Sequence, residues 1–536
     1  MEIGLYTSIA LAYNGVMDRA HETTGLPPDF RLLPGETVLS VTSHEPRTFQ
    51  HTPSSLEQIM RLTRSPSPDD IGTYGPSIAS LAFDVSMKTS VTADQSPLTY
   101  ASGNALPHMP APEHLRLYEV VFGRDSLRVA IDLISSYPAL ARSTVLRLAE
   151  LQGVTTDQAR EEEPGKIVHE ARDADDPIAL QLSRELGWGW PYYGSIDATP
   201  EFLRTLAAYC SRSSEGADFL SARYIDRTGT EHTISYAMSI AVDWILHNLH
   251  KNPEGLLEFK SMLPQGIENQ VWKDSWDAYH HSDGSDANHA DGIASIEVQT
   301  TTYDALLDIA HLYEHALGNT LKAGQLREHA DALRNAIITY FWTDDKGGYF
   351  VLGTDRDPKG KLRQLKLRTS NMGHVLNSRL LENDSLESAA MRGAIITQLT
   401  SPELLTPSGI RTLASDEYRY RPGSYHNGSI WLWDTHHIAK GLRRHGHGEL
   451  ADELDRRLLN VVDTTKVFPE YVRGDDSDIP RLNTQTIVLW DSLAHRINKV
   501  EQPPQEVQAW TVAAILAIKR RMARRGLFAA TPQMRN

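Results

Sequence analysis

Residues 269–283 combine aromatic and charged side chains in a very short span. Two indole rings are unusual on a solvated face, because they gain nothing from contact with water. In a core, the two carboxylates and the ammonium would have to be desolvated. Flat rings beside acids are typical of a sugar pocket, because the rings cover apolar C–H faces and the polar groups bind hydroxyls. The alternative is a loop that the tryptophans anchor while the charges point outward. The side chains concerned are Trp272, Lys273, Asp274, Trp276, Asp277 and Tyr279.

Two polar clusters precede this segment, each just before a predicted helix. Arg124 and Asp125 would bind adjacent hydroxyls of a sugar; alternatively, Asp125 is an acid favoured at a helix N-terminus and Arg124 is its ion partner. Residues 188–197 contain four aromatic residues, two glycines and a proline, and end at Asp197. We interpret this stretch, Tyr193 included, as a rigid aromatic wall with Asp197 as a ligand to a hydroxyl. Core packing of the rings is the alternative.

Two more clusters follow the segment. Residues 425–437 open a helix and place His426 and Asn427 in its entry loop, where polar side chains and free backbone N–H groups meet solvent or ligand. Glu470 lies between apolar neighbours, which perturb the pKa of a carboxyl in a way that catalysis can use. An ion pair with Arg473 is the alternative for Glu470. Trp510, early in the last predicted helix, is either core or pocket wall.

Other chemistries have little support in the sequence. His311 and His315 match a short zinc-binding pattern on one helix face, but no third ligand is evident, and a packed or exposed histidine pair is the better interpretation. Nucleotide-binding and serine-hydrolase motifs do not occur. We therefore predict no metal site and no cofactor. The charged residues 161–170 are interpreted as a solvated loop.

Composition limits the class of protein. Hydrophobic residues make up 40% of the 536 residues and charged residues 23%, which is ordinary for a globular protein. No apolar run reaches the roughly 18 residues of a membrane span, and the first residues lack the basic start of a secretory signal. The net charge of −16 argues against a nucleic-acid partner. Cys210 is the only cysteine, so no disulfide can form within the chain and we expect a cytoplasmic location.

The elements that must position these residues are mainly helices. Residues 1–105 are broken by prolines and are predicted to form an irregular arm or small cap, with candidate strands at 37–42 and 79–87. Residues 106–536 are predicted to form the main domain. Its helical stretches lie near 126–136, 140–151, 200–212, 234–250, 297–316, 319–341, 372–382, 386–399, 429–444, 447–462, 484–498 and 505–523. Residues 341–351 are a hairpin candidate.

Paired helices joined by long polar loops favour inner and outer helices of an (α/α)6 barrel. A solenoid would show a fixed repeat period, which this sequence lacks. We therefore expect an all-α (α/α)6 barrel with a small irregular N-terminal extension and long loops that carry short β-hairpins. Long loops in compact domains usually carry function, and the clusters fall on such loops.

Taken together, the clusters resemble the amylo-α-1,6-glucosidase type of glycogen-debranching glycoside hydrolase domains, which are (α/α)6 barrels. The matching pieces are FGRDS, EEEPGKIVHE, YYGSIDATP, NQVWKDSWDAYHHSDG, EVQTTTYDAL, YHNGSIWLWD, FPEYVRG and QAW, between about residues 120 and 520. The resemblance implies Asp277 as general acid and Glu470 as general base, with Asp274 as competitor for the acid. It also implies a sugar pocket lined by Arg124, Asp125, Asp197, Lys273, Trp276, His426, Asn427 and Trp431, to which the aromatic clusters add Tyr193, Trp272 and Trp510.

Cleavage without a nucleophile needs one protonated carboxyl on the leaving oxygen and one ionised carboxylate that activates water, which inverts the anomeric configuration. Proteins of the resembled type carry a large N-terminal β-sandwich, for which about a hundred residues leave little room. We therefore expect a small substrate, namely a terminal α-glucosidic bond of an oligosaccharide or small glycoside. The alternatives are a non-catalytic sugar-binding or regulatory protein, which needs neither acid nor base, and another α/α-barrel enzyme such as an epimerase or lyase.

Overall fold

The computed structural model describes residues 36–41, 120–173, 175–482, 485–491, 496–502 and 508–525. Helices dominate the regular structure of these residues. They are α1 (Gly123–Leu133), α2 (Pro138–Glu150), α3 (Pro177–Leu186), α4 (Ala198–Arg212), α5 (Ile234–Leu249), α6 (Ile296–His315), α7 (Thr320–Phe341), α8 (Met372–Leu376), α9 (Leu386–Leu399), α10 (Leu432–Arg444), α11 (Gly448–Thr465) and α12 (Ala509–Arg524).

Local chemistry sets many of the helix boundaries. Pro138 begins α2, where its missing N–H costs nothing. The side chains of Thr233, Asn319 and Ser385 accept hydrogen bonds from backbone N–H groups in the first turns of α5, α7 and α9. These caps satisfy donors that have no partner inside the helix.

The helices form two series. In the first series α1 packs against α4, α4 against α6, α6 against α8, α8 against α10, α10 against α12, and α12 against α1. In the second series α2 packs against α1 and α4, α5 against α4, α7 against α6, α9 against α8, and α11 against α10. The predicted helix-rich fold is therefore confirmed.

Strands are short and lie in the connections between helices. The antiparallel pairs are β2 (Val121–Phe122) with β3 (Glu170–Ala171), β4 (Arg223–Ile225) with β5 (Glu231–Thr233), β6 (Ala294–Ser295) with β9 (Gly353–Arg356), β9 with β10 (Leu362–Leu365), β7 (Trp342–Thr343) with β8 (Tyr349–Phe350), β11 (Leu405–Thr406) with β12 (Gly409–Ile410), and β13 (Ile430–Trp431) with β14 (Tyr471–Val472). A three-stranded sheet joins β1 (Glu36–Val41) in parallel to β15 (Gln485–Asp491), which pairs antiparallel with β16 (Arg496–Gln502).

Most predicted elements are found, with three differences. The helix predicted at 484–498 is wrong, because β15 and β16 occupy that region; its Ile, Val, Leu and Trp residues pair across strands instead. The helix predicted at 372–382 is two short pieces, α8 and a 3-10 turn at Arg379–Leu381. Helix α3 was not predicted. The hairpin at 341–351 and the strand near 37–42 are confirmed.

Most of the predicted arm at 1–105, including the strand candidate at 79–87, lies outside the described residues. Of the arm, β1 is described, and it pairs with β15 from the far end of the chain. Within the described parts, no helix combines the length and the apolar character that crossing a bilayer requires.

Candidate active site

The segment that holds Asp274 and Asp277 is not helical; side chains from other segments hold its backbone. Asn269 Nδ2 donates to the carbonyl of Ser275 at 2.7 Å, and Asn427 Nδ2 donates to the carbonyl of Asp277 at 2.9 Å. Arg419 Nη1 donates to the same Asp277 carbonyl at 3.3 Å. In a helix, the carbonyls of Ser275 and Asp277 would accept from backbone N–H groups, but here they accept from side chains of other segments. Asp274 and Asp277 therefore do not share a helix face.

One arginine and three carboxylates cluster where α1 and α4 begin. Arg124 Nε donates to Asp197 Oδ2 at 2.6 Å, and Arg124 Nη1 lies 3.7 Å from Asp274 Oδ2. Ser195 Oγ donates to the second oxygen of Asp197 at 2.6 Å. Asp125 occupies the first turn of α1. Of the described side chains none accepts a hydrogen bond from the buried Nη2 of Arg124, so this donor is available to a ligand.

The pKa values of two of these carboxyls are raised. Burial raises the pKa of Asp125 to about 6, and Arg124 opposes the shift. Burial raises the pKa of Asp274 to about 7, again against Arg124, while the charges of Asp125 and Asp197 add to the rise. Burial and the charges of neighbouring carboxylates thus outweigh the attraction of Arg124, and Asp274 holds its proton up to about neutral pH.

Asp277 differs from Asp274 in its surroundings. Its side chain is half-buried. Hydrogen bonds fix its backbone carbonyl, but within the part of the chain that the structure describes no group hydrogen-bonds to its carboxylate or forms an ion pair with it. The carboxyl is therefore held in place by its backbone and is available to a substrate.

Residues 425–427 connect the two predicted catalytic carboxyls. On one side, His426 Nδ1 accepts hydrogen bonds from the Ser275 N–H at 3.3 Å and the Ser275 hydroxyl at 2.9 Å. On the other side, the Tyr425 hydroxyl donates to Glu470 Oε1 at 2.6 Å. Three consecutive residues thus contact both the Asp274–Asp277 segment and Glu470, which are nearly two hundred positions apart in the sequence.

The His426 ring is a neutral donor. Burial lowers its pKa well below the ordinary value, and Lys273 and Arg124 add to the effect. Because Nδ1 accepts from a backbone N–H, the proton lies on Nε2. The Nε2 atom is buried, and no described group accepts a hydrogen bond from it. This N–H can donate to a sugar hydroxyl.

The segment that carries Glu470 is held by β14 and α12. β14 pairs with β13, which brings Tyr471 opposite Trp431. At the start of α12 the Gln508 N–H donates to the Phe468 carbonyl at 2.9 Å and the Thr511 hydroxyl to the Pro469 carbonyl at 2.8 Å. Arg473, the predicted alternative partner of Glu470, forms an ion pair with Asp475 at 2.7 Å.

Tryptophans form a continuous buried wall beside this segment. The Trp272 ring lies 5.8 Å from Trp431 and 5.0 Å from Trp433, and Trp510 lies 5.6 Å and 5.2 Å from the same two rings. Trp276 is half-buried instead, with the guanidinium of Arg419 6.0 Å from its ring centre. Trp510 therefore belongs to the wall that supports the site.

Two predicted pocket residues have structural contacts of their own. The fully buried Tyr193 donates its hydroxyl to the Leu151 carbonyl at 2.6 Å. Lys273 Nζ donates to the Thr412 carbonyl at 2.6 Å, and burial lowers its pKa to about 8. Both side chains hold segments together, and their contact with a sugar stays a prediction.

The prediction that residues 161–170 form a solvated face is wrong. Glu161, Glu162 and Glu170 are buried. Glu161 accepts hydrogen bonds from Ser261 Oγ at 2.5 Å and from the side chain of Gln270, next to the Asp274–Asp277 segment. A run of charges looks exposed in sequence, but Glu161 and Glu162 have distant partners that the sequence does not reveal, Arg227 in the case of Glu162, and Glu170 pairs with the nearby Arg172.

Sequence reasoning also missed supporting residues. Arg419 and Asn269 hold the acid segment, and Tyr425 holds Glu470. The sequence could have indicated Tyr425, because it directly precedes His426 and Asn427. Arg419 lies in a polar loop without any pattern that could have indicated it. The described residues contain no group of three potential metal ligands, and the rings of His311 and His315 lie 4.3 Å apart.

The chain matches a known protein-family model over part of its length. The model described as the mannosylglycerate hydrolase MGH1-like glycoside hydrolase domain matches residues 208–486, more than half of the chain. The matched range includes Asp274, Asp277, His426 and Glu470, whereas Arg124, Asp197 and Trp510 lie outside it. No curated protein matches the chain significantly. The match supports the glycoside hydrolase part of the predicted resemblance, but not the amylo-α-1,6-glucosidase type in particular.

Proposed function

The chain belongs to the MGH1-like glycoside hydrolase family, and from this premise we propose that it cleaves a terminal glycosidic bond of an oligosaccharide or small glycoside with inversion of configuration. One observation carries the proposal. Residues 425–427 contact the acid-bearing segment through Ser275 and the buried Glu470 through Tyr425. An inverting mechanism needs two carboxyls on opposite sides of one bond, about 6.5–9.5 Å apart.

Glu470 is the proposed general base. Its carboxylate is buried, and the Tyr425 hydroxyl that donates to Oε1 orients it. A buried, oriented carboxylate can accept a proton from a water that attacks the anomeric carbon.

Asp277 is the proposed general acid. Its carboxyl has no described partner, and its backbone carbonyl is fixed by Asn427 and Arg419. Asp274 is the competitor, because its pKa of about 7 keeps it protonated where a general acid must hold a proton. In our assignment Asp274 belongs with Arg124 to the group that binds sugar hydroxyls.

The pocket offers several groups to a sugar ring. Arg124 Nη2 and His426 Nε2 are buried donors that no described residue uses. Asp125, Asp197 and Asp274 are acceptors, and Asp125 and Asp274 are donors when protonated. Trp276 supplies a half-exposed aromatic face.

We propose an (α/α)6 barrel as the scaffold. The contacts among α1, α4, α6, α8, α10 and α12, each with the next and the last with the first, support this arrangement. Arg124, Asp197, Trp431 and Trp510 all lie at the N-terminal ends of helices in this series. A closed ring would collect these ends on one rim.

Two kinds of sugar are candidates. The predicted substrate is a small α-glucoside. The description of the matching family model names mannosylglycerate, which favours a mannose glycoside of a small acid as the second candidate. Both are small glycosides.

Proton NMR tests the function. Wild-type protein is incubated with α-linked glucose disaccharides, α-glucosyl glycerate and mannosylglycerate, beside Asp277→Asn and Glu470→Gln. We expect hydrolysis by wild type, an initial product of inverted configuration, and a loss of about 10²–10⁴-fold in both variants. An initial product of retained configuration would refute the mechanism. Saturable binding without turnover, equal in all three proteins, would favour the sugar-binding alternative.

A further inference from the structure

The backbone carbonyl of Asp277 is the point at which two other segments hold the acid. The Nδ2 of the buried Asn427 donates to it at 2.9 Å, and Arg419 Nη1 donates to it at 3.3 Å. A carbonyl that accepts two hydrogen bonds fixes the peptide plane beside it, and with it the direction in which the Asp277 side chain leaves the backbone. We infer that Arg419 is a positioning residue for the general acid, an inference that rests on the proposed function.

The other contacts of Arg419 extend this hold to the turn that follows. Its Nη2 and Nε donate to the Gly284 carbonyl at 2.7 Å and 3.2 Å, and Nη2 also contacts the carboxylate of Asp286. Its guanidinium lies 6.0 Å from the ring centre of Trp276, the residue before the acid. One planar fork thus joins both sides of the turn between residues 276 and 286.

The geometry of this hold requires arginine. A guanidinium presents several N–H donors in a rigid plane, whereas an ammonium is a single flexible point charge. The side chain is 18% exposed, and so it is desolvated enough for these bonds to restrain it. Arg419→Lys would keep the charge but could not serve the Asp277 and Gly284 carbonyls together.

Arg419 acts on the position of Asp277 and not on its charge. Among the described carboxylates, Asp286 is the one within ion-pair distance of Arg419. Loss of Arg419 would therefore leave the pH limits of the reaction in place, while a displacement of the acid by an ångström can cost about 10²-fold in rate.

The test compares two substrates that differ in their need for an acid. A disaccharide leaving group must be protonated, whereas fluoride leaves without help. We expect Arg419→Ala to lower kcat on the α-disaccharide cleaved by wild type by about 10–100-fold. We expect Arg419→Ala to have little effect on kcat with the corresponding glycosyl fluoride. KM and the pH profile of the reaction should also change little. Arg419→Lys should recover part of the lost kcat.

Arg392→Ala is the matched control, because Arg392 also donates to two backbone carbonyls, those of Leu381 and Asn383, away from the site. It should leave both activities unchanged.

Equal losses on disaccharide and fluoride in Arg419→Lys would overturn the inference, since a general defect does not discriminate between leaving groups. If Asp277→Asn loses both activities equally, Asp277 is not the acid and the inference fails with its target, while the glycosidase stands. If wild type cleaves neither substrate, the proposed function itself fails.

Discussion

At the scale of single residues, the buried carboxyls around Arg124 form a polar pocket, but their burial lowers the stability of the folded chain at neutral pH. Asp274 has an exposed side-chain fraction of 15% and lies 3.7 Å from Arg124, yet burial still raises its pKa to about 7. Asp125 in the same cluster has a pKa of about 6. Such groups fold protonated and must ionise against their surroundings as the pH rises, which is common at binding and catalytic sites.

The first prediction concerns the pH dependence of stability. Below about pH 4 the Asp274 carboxyl is protonated in both folded and unfolded chains. Between about pH 4 and pH 7 the unfolded chain loses this proton while the folded chain keeps it, and so stability falls as pH rises. Asparagine cannot ionise. We expect the free energy of unfolding of Asp274→Asn, relative to wild type, to rise by about 2–4 kcal/mol from pH 4 to pH 8 in urea titrations.

Asp226→Asn is the control of opposite sign. Although desolvation opposes it, hydrogen bonds from the side chain and N–H of Thr228 and the N–H of Thr230 lower the pKa of Asp226. The stability that Asp226 contributes is present at neutral pH and lost as the pH falls. Because this loss lies below the ordinary aspartate pKa of about 4, the variant's disadvantage should shrink between about pH 4 and pH 2, and it should change little between pH 4 and pH 8. A difference between Asp274→Asn and wild type that does not change with pH would contradict the first prediction.

At the scale of elements, apolar periodicity gave most of the helices and failed where tertiary pairing decides. Residues 386–399 are predicted and observed as one helix with identical bounds, because Ser385 caps a run whose buried residues recur at helical spacing. Residues 485–491 carry enough apolar side chains for either structure, and pairing with β1 and β16 makes them a strand. A pairing partner more than four hundred residues away leaves no local signal.

The site was predictable to a similar extent. Unusual local mixtures of side chains marked the segments around Trp272, His426 and Glu470, and the structure brings these segments together. The direction of each contact was not predictable. Asn427 supports the backbone of Asp277, and Lys273 holds the Thr412 carbonyl, because partners in three dimensions determine what a polar side chain binds.

The junction of β13 and β14 leads to the second prediction. A Cβ on Gly474 would lie 1.8 Å from the carbonyl oxygen of Gly428 and 3.0 Å from its carbonyl carbon. These two atoms belong to the backbone, which cannot move aside as the end of a flexible side chain could. We expect Gly474→Ala to lower the free energy of unfolding by about 1–3 kcal/mol, as overpacking does, and to reduce kcat by displacing the segment that carries Glu470. Thermal unfolding and initial rates measure the two effects.

Gly393→Ala separates this clash from the general effect of alanine. Gly393 lies within α9, and a Cβ there would meet no atom within 4 Å. Because alanine favours a helix over glycine, this variant should gain roughly 0.5–1 kcal/mol and keep full activity. If Gly474→Ala behaves in the same way, the close approach of the two backbones does not constrain the site.

At the scale of the whole molecule, contacts between distant parts of the sequence divide the interior into two regions. On the site side, Trp433 packs against Trp272; on the other side, the guanidinium of Arg128 lies 5.0 Å from the Trp433 ring centre. Arg128 also lines a cavity of about 800 Å³, toward the C-terminal ends of α1, α4, α6 and α10, to which neither Asp277 nor Glu470 contributes. Its arginines are largely engaged with acids, as Arg204 is with Asp304. The wall of tryptophans therefore separates the candidate catalytic carboxyls from a polar, ion-paired region.

The last prediction tests whether Trp510 and the start of α12 position Glu470. Trp510 lies at the start of α12, which packs on both α1 and α10, and the same helix start holds the segment of Glu470 through Gln508 and Thr511. Trp510→Ala should cost about 3–5 kcal/mol by opening a cavity. It should also lower kcat at temperatures at which the variant is fully folded, for the disaccharide and the fluoride alike, because both reactions need the base.

Met522→Ala removes a buried side chain near the other end of α12. It should cost a comparable 2–5 kcal/mol without changing kcat of the folded protein. Urea titrations and initial rates of both variants measure this difference. Equal effects on kcat would mean that α12 stabilises the molecule without positioning Glu470.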